Sequence, residues 1–124
     1  MLAHTRAFSG FSVDDIPAAR DFYRDVLGVE VEEMDNGLLA LHLAGGHEAI
    51  VYPKPDHRPA AFTILNFSVG DIEQAVDELT GAGVETIRYE GFDQDERGIS
   101  RNPGGPPIAW FTDPAGNILA VLED

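Results

Sequence analysis

The segment Phe11–Ile16, with the sequence Phe-Ser-Val-Asp-Asp-Ile, returns almost unchanged as Phe67–Ile72, Phe-Ser-Val-Gly-Asp-Ile. Each copy is followed by a Gly-Val-Glu triplet, at Gly28–Glu30 in the first case and at Gly83–Glu85 in the second. An ordered series of matches in the two halves of a short chain predicts one supersecondary unit that is used twice.

The first half predicts a strand, a helix and then further strands. Residues 10–13 alternate between small and apolar side chains, which is typical of a half-buried strand. Asp15 is the predicted N-cap of the helix and Gly28 its predicted end. Asn36-Gly37 predicts a β-hairpin, with strands expected at Leu38–Leu43 and Glu48–Tyr52.

The second half predicts the same order. Its strands are expected near Ala61–Val69, Glu85–Glu90, Ile108–Thr112 and Asn117–Leu122, and Asp113–Gly116 is the turn between the last two. The fold class is therefore α+β, with two βαβββ repeats that form curved mixed sheets around a cleft. We expect a single domain over residues 1–124, with repeat one at about 6–53, a linker at 53–59 and repeat two at about 60–122. Such a cleft is the default ligand site.

Composition excludes several functions. The 124 residues carry 22 acidic and 8 basic side chains, a net charge of −14, and no cysteine. Nucleic acid and an anionic membrane are therefore not expected partners, because both need a basic surface. No apolar run approaches the roughly 20 residues of a membrane span or forms the core of a signal peptide, and we expect a cytoplasmic protein. The acidic field favours a cationic ligand over an anionic one, although solubility is the simpler explanation of the charge.

The sequence resembles the vicinal oxygen chelate superfamily, which includes glyoxalase I, extradiol dioxygenases, fosfomycin-resistance enzymes and bleomycin-binding resistance proteins. The residues that carry the resemblance are the two Phe-Ser-Val-x-Asp-Ile segments, the helix end Asp21–Gly28, and Trp110–Asn117. It extends from about Phe8 to Leu122, and it implies the fold. We also expect a homodimer. It does not imply one chemistry, since related proteins on a common fold perform different reactions.

The resemblance also implies four metal ligands, one near the start and one at the end of each half. The corresponding positions here are Phe8, Ile50, Ile64 and Ala120, where the assignment of Ile50 is uncertain by about one residue. Hydrocarbon side chains cannot coordinate a divalent metal, which needs oxygen, nitrogen or sulfur donors. We therefore predict no metal and no other cofactor.

Residues two apart along a strand face the same side, so these positions also predict which side chains line the cleft. The predicted ligand-binding residues are Phe8, His42, Tyr52, Asn66 and Trp110, with Asp93 and Arg97 added from the aperiodic loop at Gly91–Pro106. Trp110 is either a stacking platform or a core or interface aromatic residue. His42 is the candidate catalytic residue, as a general base, or else a hydrogen-bonded structural histidine.

The sequence therefore predicts a protein that binds a small organic ligand, cationic or aromatic, in an apolar cleft without metal, as bleomycin-resistance proteins do. The alternative is an enzyme of the glyoxalase superfamily, a lyase, isomerase or dioxygenase acting on a small metabolite. A lyase or isomerase of this kind would be metal-independent and would use His42, or a carboxylate of the loop at Gly91–Pro106, as its general base.

Overall fold

The computed structural model describes residues 1–101 and 104–124. They form two compact units, Met1–His57 and Arg58–Asp124, which divide within the predicted linker at 53–59. The first unit contains β1 (Ser9–Val13), α1 (Ile16–Asp21), a π-helical turn (Phe22–Val26), β2 (Glu30–Glu33), β3 (Leu39–His42), a short 3-10 turn (Ala44–Gly46) and β4 (Glu48–Pro53). The second contains β5 (Thr63–Val69), α2 (Ile72–Gly81), β6 (Ile108–Thr112) and β7 (Ile118–Glu123).

The sheet of the first unit has the strand order β1-β4-β3-β2. Strand β1 is parallel to β4, and the other neighbours are antiparallel. One face is covered by α1 and the turn after it, where the buried Tyr23 ring packs on Phe11 with centroids 5.9 Å apart. Phe11 is in register with Val51 of β4, which is in turn in register with Leu39 of β3, so these side chains form the core of this unit.

The first helix begins and ends where the sequence predicts, but it changes geometry on the way. The Asp15 carboxylate accepts a hydrogen bond from the Ala18 N–H at 3.0 Å, which confirms the predicted N-cap. From Phe22 the hydrogen bonds are of the wider π type, with Leu27 N–H donating to Phe22 C=O at 3.0 Å. Gly28 then leaves the helix with φ of 72°, a value that glycine adopts without strain.

The second unit repeats this connectivity. Its sheet has the order β5-β7-β6, and β5 is parallel to β7 just as β1 is parallel to β4. Asp71 caps α2 by accepting from the Gln74 N–H at 3.1 Å, in the same way as its counterpart in the first copy. The side chain of Glu123 accepts a hydrogen bond from the Ile72 N–H at 3.1 Å, which places α2 on the Glu123 face of the sheet.

The predicted strand at Glu85–Glu90 is wrong. The segment donates one backbone hydrogen bond to β6, from Ile87 N–H to Trp110 C=O at 2.7 Å, and no ladder forms among the described residues. The Gln94 side chain instead binds the Ile87 carbonyl and the Tyr89 N–H, both at 2.8 Å. Because a side chain satisfies these backbone groups, the strand loses the partners it needs, and the second sheet has three strands.

The two predicted turns are confirmed. Gly37 in the hairpin between β2 and β3 has φ of 84°, and Gly116 in the hairpin between β6 and β7 has φ of 85°. Asp113 is buried and its carboxylate accepts from the N–H groups of Ala115 and Asn117, each at 2.9 Å, which fixes the second turn. Within the described residues, neither helix is long and apolar enough to cross a membrane.

Candidate functional site

In each unit one face of the sheet is covered by the helix of that unit, and the other face is called here the helix-free face. In the first unit, Ile50 of β4 lies on the helix-free face, and the same alternation places Glu48 and Tyr52 there. His42 is in register with Glu48 and therefore shares this face. The structure thus places two of the predicted site residues, His42 and Tyr52, on the same face of the first sheet, with Tyr52 four positions along β4 from the residue opposite His42.

Phe8 lies just before β1 and is exposed. The Arg6 guanidinium is 5.5 Å from the centroid of its ring, a cation–π distance. Arg6 also donates a hydrogen bond to Glu48 Oε1 at 2.7 Å, so a chain of charges extends from the N-terminal segment onto the helix-free face.

His42 lies between the carboxylates of Glu32 and Glu48. Its Nε2 is 2.8 Å from Glu32 Oε1, and its Nδ1 is 3.3 Å from Glu48 Oε2. The hydrogen bond to Glu32 raises the pKa of His42, partial desolvation opposes this, and the charges of Glu48, Glu30 and Glu32 raise the pKa further. The geometry therefore favours the imidazolium form, which donates from both nitrogens and is an acid rather than a base. The general-base role stays a prediction.

Two serine–histidine pairs in the first unit were not predicted. Ser12 Oγ is 2.6 Å from His57 Nδ1, and Ser9 Oγ is 3.2 Å from His47 Nε2. Ser12 lies on β1, and His57 is the last residue of the unit. Nothing in the spacing indicates these pairs, because the partners are separated by 45 and 38 positions.

The helix-free face of the second unit contains Asn66 and Trp110. They occupy one row across the sheet, in which Asn66 of β5 is in register with Ala120 of β7 and Ala120 with Trp110 of β6. Asn66 is exposed, Ala120 is fully buried and Trp110 is half-buried. These two predicted ligand residues therefore lie on the same face, two strands apart.

Two further aromatic rings pack on Trp110. The Tyr89 ring meets it edge to face with centroids 5.2 Å apart, and the Phe92 ring does so at the same distance. The Tyr89 and Phe92 rings are themselves 6.1 Å apart, and Phe92 remains 47% exposed. Sequence reasoning missed both residues, because Tyr89 was assigned to a strand and Phe92 to the loop without a role. We call Tyr89, Phe92 and Trp110 the aromatic cluster.

The charged residues of the predicted loop do not share one place. Arg97 donates to Asp77 Oδ1 at 2.9 Å and to Glu73 Oε1 at 3.2 Å, both on α2, and the hydrogen bond to Asp77 raises the pKa of Arg97. Since α2 covers the opposite face of the sheet, the structure does not bring Arg97 to Trp110. Asp93 is exposed. Ligand contacts by Asp93 and Arg97 stay predictions, and positions 102 and 103 of the predicted loop lie outside the described residues.

The loop is nevertheless well structured over its described part. Asp95 accepts from the N–H groups of Arg97 and Ile99, each at 2.9 Å, and forms an ion pair with Arg101. Burial alone would raise the pKa of Asp95, but these hydrogen bonds and the Arg101 charge outweigh it, so the pKa lies below its usual value. The segment that carries Phe92 is therefore held by specific polar contacts.

The residues present do not fit the metal that the fold implies. The four corresponding positions, Phe8, Ile50, Ile64 and Ala120, end in carbon only. Ala120 in addition lies fully buried between Asn66 and Trp110 in its row. Among the described residues, no group of three or more His, Asp or Glu side chains is arranged to hold a metal ion.

The architecture and the two helix-free faces define an α+β protein built from a duplicated unit with candidate ligand-binding surfaces on its sheets. Residues 2–121 match the family model described as the Glyoxalase/Bleomycin resistance protein/Dioxygenase superfamily, and the chain belongs to this superfamily. No curated protein sequence matches the chain.

Solved structures with low sequence identity share the fold. A fosfomycin resistance protein, FosX, from Listeria monocytogenes has a TM-score of 0.74 at 11% identity, with 96% of this chain and 92% of that chain covered. TnmS3, an antibiotic binding protein from Streptomyces sp., has a TM-score of 0.69 at 20% identity and 97% coverage of both chains. A superfamily member from Sphaerobacter thermophilus has a TM-score of 0.71 at 21% identity, covering 96% and 98%. At these identities the likeness extends to the fold alone.

Proposed function

We propose that this protein binds a small organic ligand with an aromatic ring on the helix-free face of its second unit, without a metal. The observation that carries the proposal is the aromatic cluster, in which two half-buried rings and one ring that is 47% exposed meet on a sheet face that α2 does not cover. Edge-to-face clusters with an exposed member offer a flat ligand both stacking and edge contacts. The row that ends in the exposed Asn66 amide supplies a polar group beside them.

The net charge of −14 supports a cationic ligand over an anionic one. Two of the structural relatives are described in terms that agree with small-molecule binding, one as an antibiotic binding protein and one as a fosfomycin resistance protein. Metal independence is part of the proposal and is supported by the hydrocarbon side chains at the four implied ligand positions.

Thermal-shift screening of a library of aromatic metabolites, in cationic and neutral pairs, tests the binding role. A ligand at 100 times its dissociation constant stabilises the folded state by about 2.7 kcal/mol, which shifts the melting temperature by several degrees. We expect Phe92→Ala to abolish the shift and Phe62→Ala to preserve it. Phe62 is a matched control, because it is a phenylalanine of the same unit that is 69% exposed and lies outside the aromatic cluster.

Several results would contradict the proposal. A library without any stabilising aromatic compound would remove the binding role, and equal shifts in both variants would place the ligand elsewhere. Stoichiometric nickel, iron, manganese or zinc in protein purified without chelators would overturn metal independence.

A second candidate function is a metal-independent lyase or isomerase in which His42 transfers the proton. The observation that favours it is the pair of carboxylates around this imidazole, at 2.8 and 3.3 Å. In this setting Glu32 would keep the ring oriented through Nε2, and a substrate that displaces Glu48 from Nδ1 would accept the proton there. Turnover of an identified substrate should fall in His42→Gln, and unchanged turnover would remove this role.

The homodimer and the cytoplasmic location predicted from the sequence are also proposals. Light scattering after size-exclusion chromatography tests the first, with the mass of a single chain as the contradicting result. Fractionation of cells that express the protein tests the second.

A further inference from the structure

Ser100 extends the second sheet beyond its edge strand β6. Its N–H donates to the Ile108 carbonyl at 2.8 Å, and the Ile108 N–H donates back to the Ser100 carbonyl at 3.0 Å. Two residues that exchange both hydrogen bonds form a directly opposed antiparallel pair. Ser100 thus occupies the position that a fourth strand would take.

This pairing determines the side of the sheet on which the Ser100 side chain lies. Directly opposed residues present their side chains to the same face, and Ile108 shares its face with Trp110, two positions along β6. The row continues through Leu122 to Ser68. Ser100 therefore lies on the helix-free face, diagonal to Trp110 at about 7–8 Å.

The Ser100 hydroxyl is the one buried side-chain polar atom without a hydrogen-bond partner within residues 1–101 and 104–124, and the residue is 0% exposed. A hydroxyl that is buried without a partner destabilises a folded protein, because its hydrogen bonds to water are lost and not replaced. Native structures keep such groups rarely, and where they do the group binds a water, an ion or a ligand, stores strain or has a functional role. Alanine or valine would fill the position without this cost.

We infer that Ser100 is a specificity-determining residue, whose hydroxyl hydrogen-bonds an oxygen-bearing substituent of an aromatic ligand that stacks on Trp110. The inference rests on the proposed function and adds the ligand class, which is an aromatic ring with a hydroxyl or carbonyl group at its edge. The diagonal separation of Ser100 and Trp110 is about the length of one substituted benzene ring. The Phe92 ring packs on Trp110 from an exposed loop. It would move aside to admit such a ligand and then pack on the ring of the ligand, so it remains the ligand contact of the proposed function.

The test compares phenol with toluene, two probes of the same shape in which a methyl group replaces the hydroxyl. Trp110 is the single tryptophan of the chain, so its fluorescence reports binding at this face. We expect wild-type protein to bind phenol more tightly than toluene, and Ser100→Ala to weaken phenol binding about five- to tenfold, the equivalent of one net hydrogen bond. Toluene binding should not change. Ser68→Ala is the matched control, since Ser68 lies in the same row but is exposed.

The possible outcomes are distinguishable. If neither probe binds, both the proposed function and this inference fail. If toluene binds and phenol binds no better, or if phenol keeps its advantage in Ser100→Ala, only the role of Ser100 fails. The melting temperature gives a readout without ligand. Ser100→Ala should leave it unchanged or raise it, whereas a decrease of several degrees would mean that the hydroxyl has a partner inside the protein.

Discussion

Replacement of Gly98 by alanine should destabilise the second unit strongly, because this glycine combines two constraints. Its φ of 85° lies in the left-handed region, where an alanine costs about 1–2 kcal/mol. A Cβ at this position would also overlap the Thr86 hydroxyl and lie 2.8 Å from Thr86 Cβ. Overpacking of this kind costs about 1–3 kcal/mol.

A further contribution comes from the hydrogen bond that the overlap would break. Thr86 Oγ1 donates to the Arg97 carbonyl at 2.8 Å, and loss of one such bond costs about 1 kcal/mol. Together we expect Gly98→Ala to reduce the free energy of unfolding by about 3–6 kcal/mol.

Gly91→Ala is the matched control for this prediction. Gly91 has the same φ of 85° as Gly98, but no atom lies within 4 Å of its added Cβ, so it loses only the left-handed contribution. In denaturant unfolding followed by Trp110 fluorescence, Gly98→Ala should be less stable than Gly91→Ala by at least about 1 kcal/mol, or about 4–8 °C in melting temperature.

The reasoning would be refuted if the two glycine variants lost the same stability. A second check is the double variant Gly98→Ala/Thr86→Gly, which removes the overlapping atoms. Relative to Thr86→Gly alone, the alanine should then cost no more than Gly91→Ala does in the wild-type background. A full additional loss would show that the overlap with Thr86 is not the cause.

Three further predictions concern single residues. Because the pKa of His42 is raised in the folded state, protonated His42 stabilises the protein fully below about pH 6.5, and this stabilisation disappears as the pH rises through the folded-state pKa. In an NMR titration Glu32→Gln should lower the folded-state pKa of His42, and an unchanged pKa would contradict the assigned cause. Asp113→Ala should reduce the free energy of unfolding by roughly 2–4 kcal/mol, since a buried carboxylate that accepts at least three hydrogen bonds is lost. A loss below about 1 kcal/mol in a denaturant titration would show that the turn does not need the Asp113 carboxylate. Phe92→Ala should change the free energy of unfolding by about 1 kcal/mol or less, because the ring is 47% exposed. The fluorescence emission of Trp110 should nevertheless shift to longer wavelength, and an unaltered spectrum would mean that the Phe92 ring does not shield Trp110 from water.

Local signals in the sequence were sufficient for the elements that depend on a few neighbouring residues. The N-cap at Asp15 and the turns at Gly37 and Gly116 each need one side chain and one backbone conformation, and both are encoded within about five positions. The duplicated segments likewise predicted that the two units share one order of elements, and in the structure the first strand of each unit lies parallel to its last.

The candidate site depended much more on contacts between distant positions. Residues 85–90 alternate like a strand, yet Gln94 binds their backbone and leaves Tyr89 free to pack on Trp110. Arg97 was expected near the ligand but pairs with Asp77 on α2. These outcomes are decided by which partner lies within hydrogen-bonding or ion-pair distance in three dimensions.

The sequence by itself determined the α+β class, the duplication and the hydrocarbon at the four implied metal positions, because each of these is a property of residue identity and local spacing. Only the tertiary structure decided that His42 lies between two carboxylates, that two further rings join Trp110, and that the Ser100 hydroxyl is buried without a partner among the described residues. The physical reason is that strand register and loop packing bring together side chains from separate segments, and no local pattern encodes their distances.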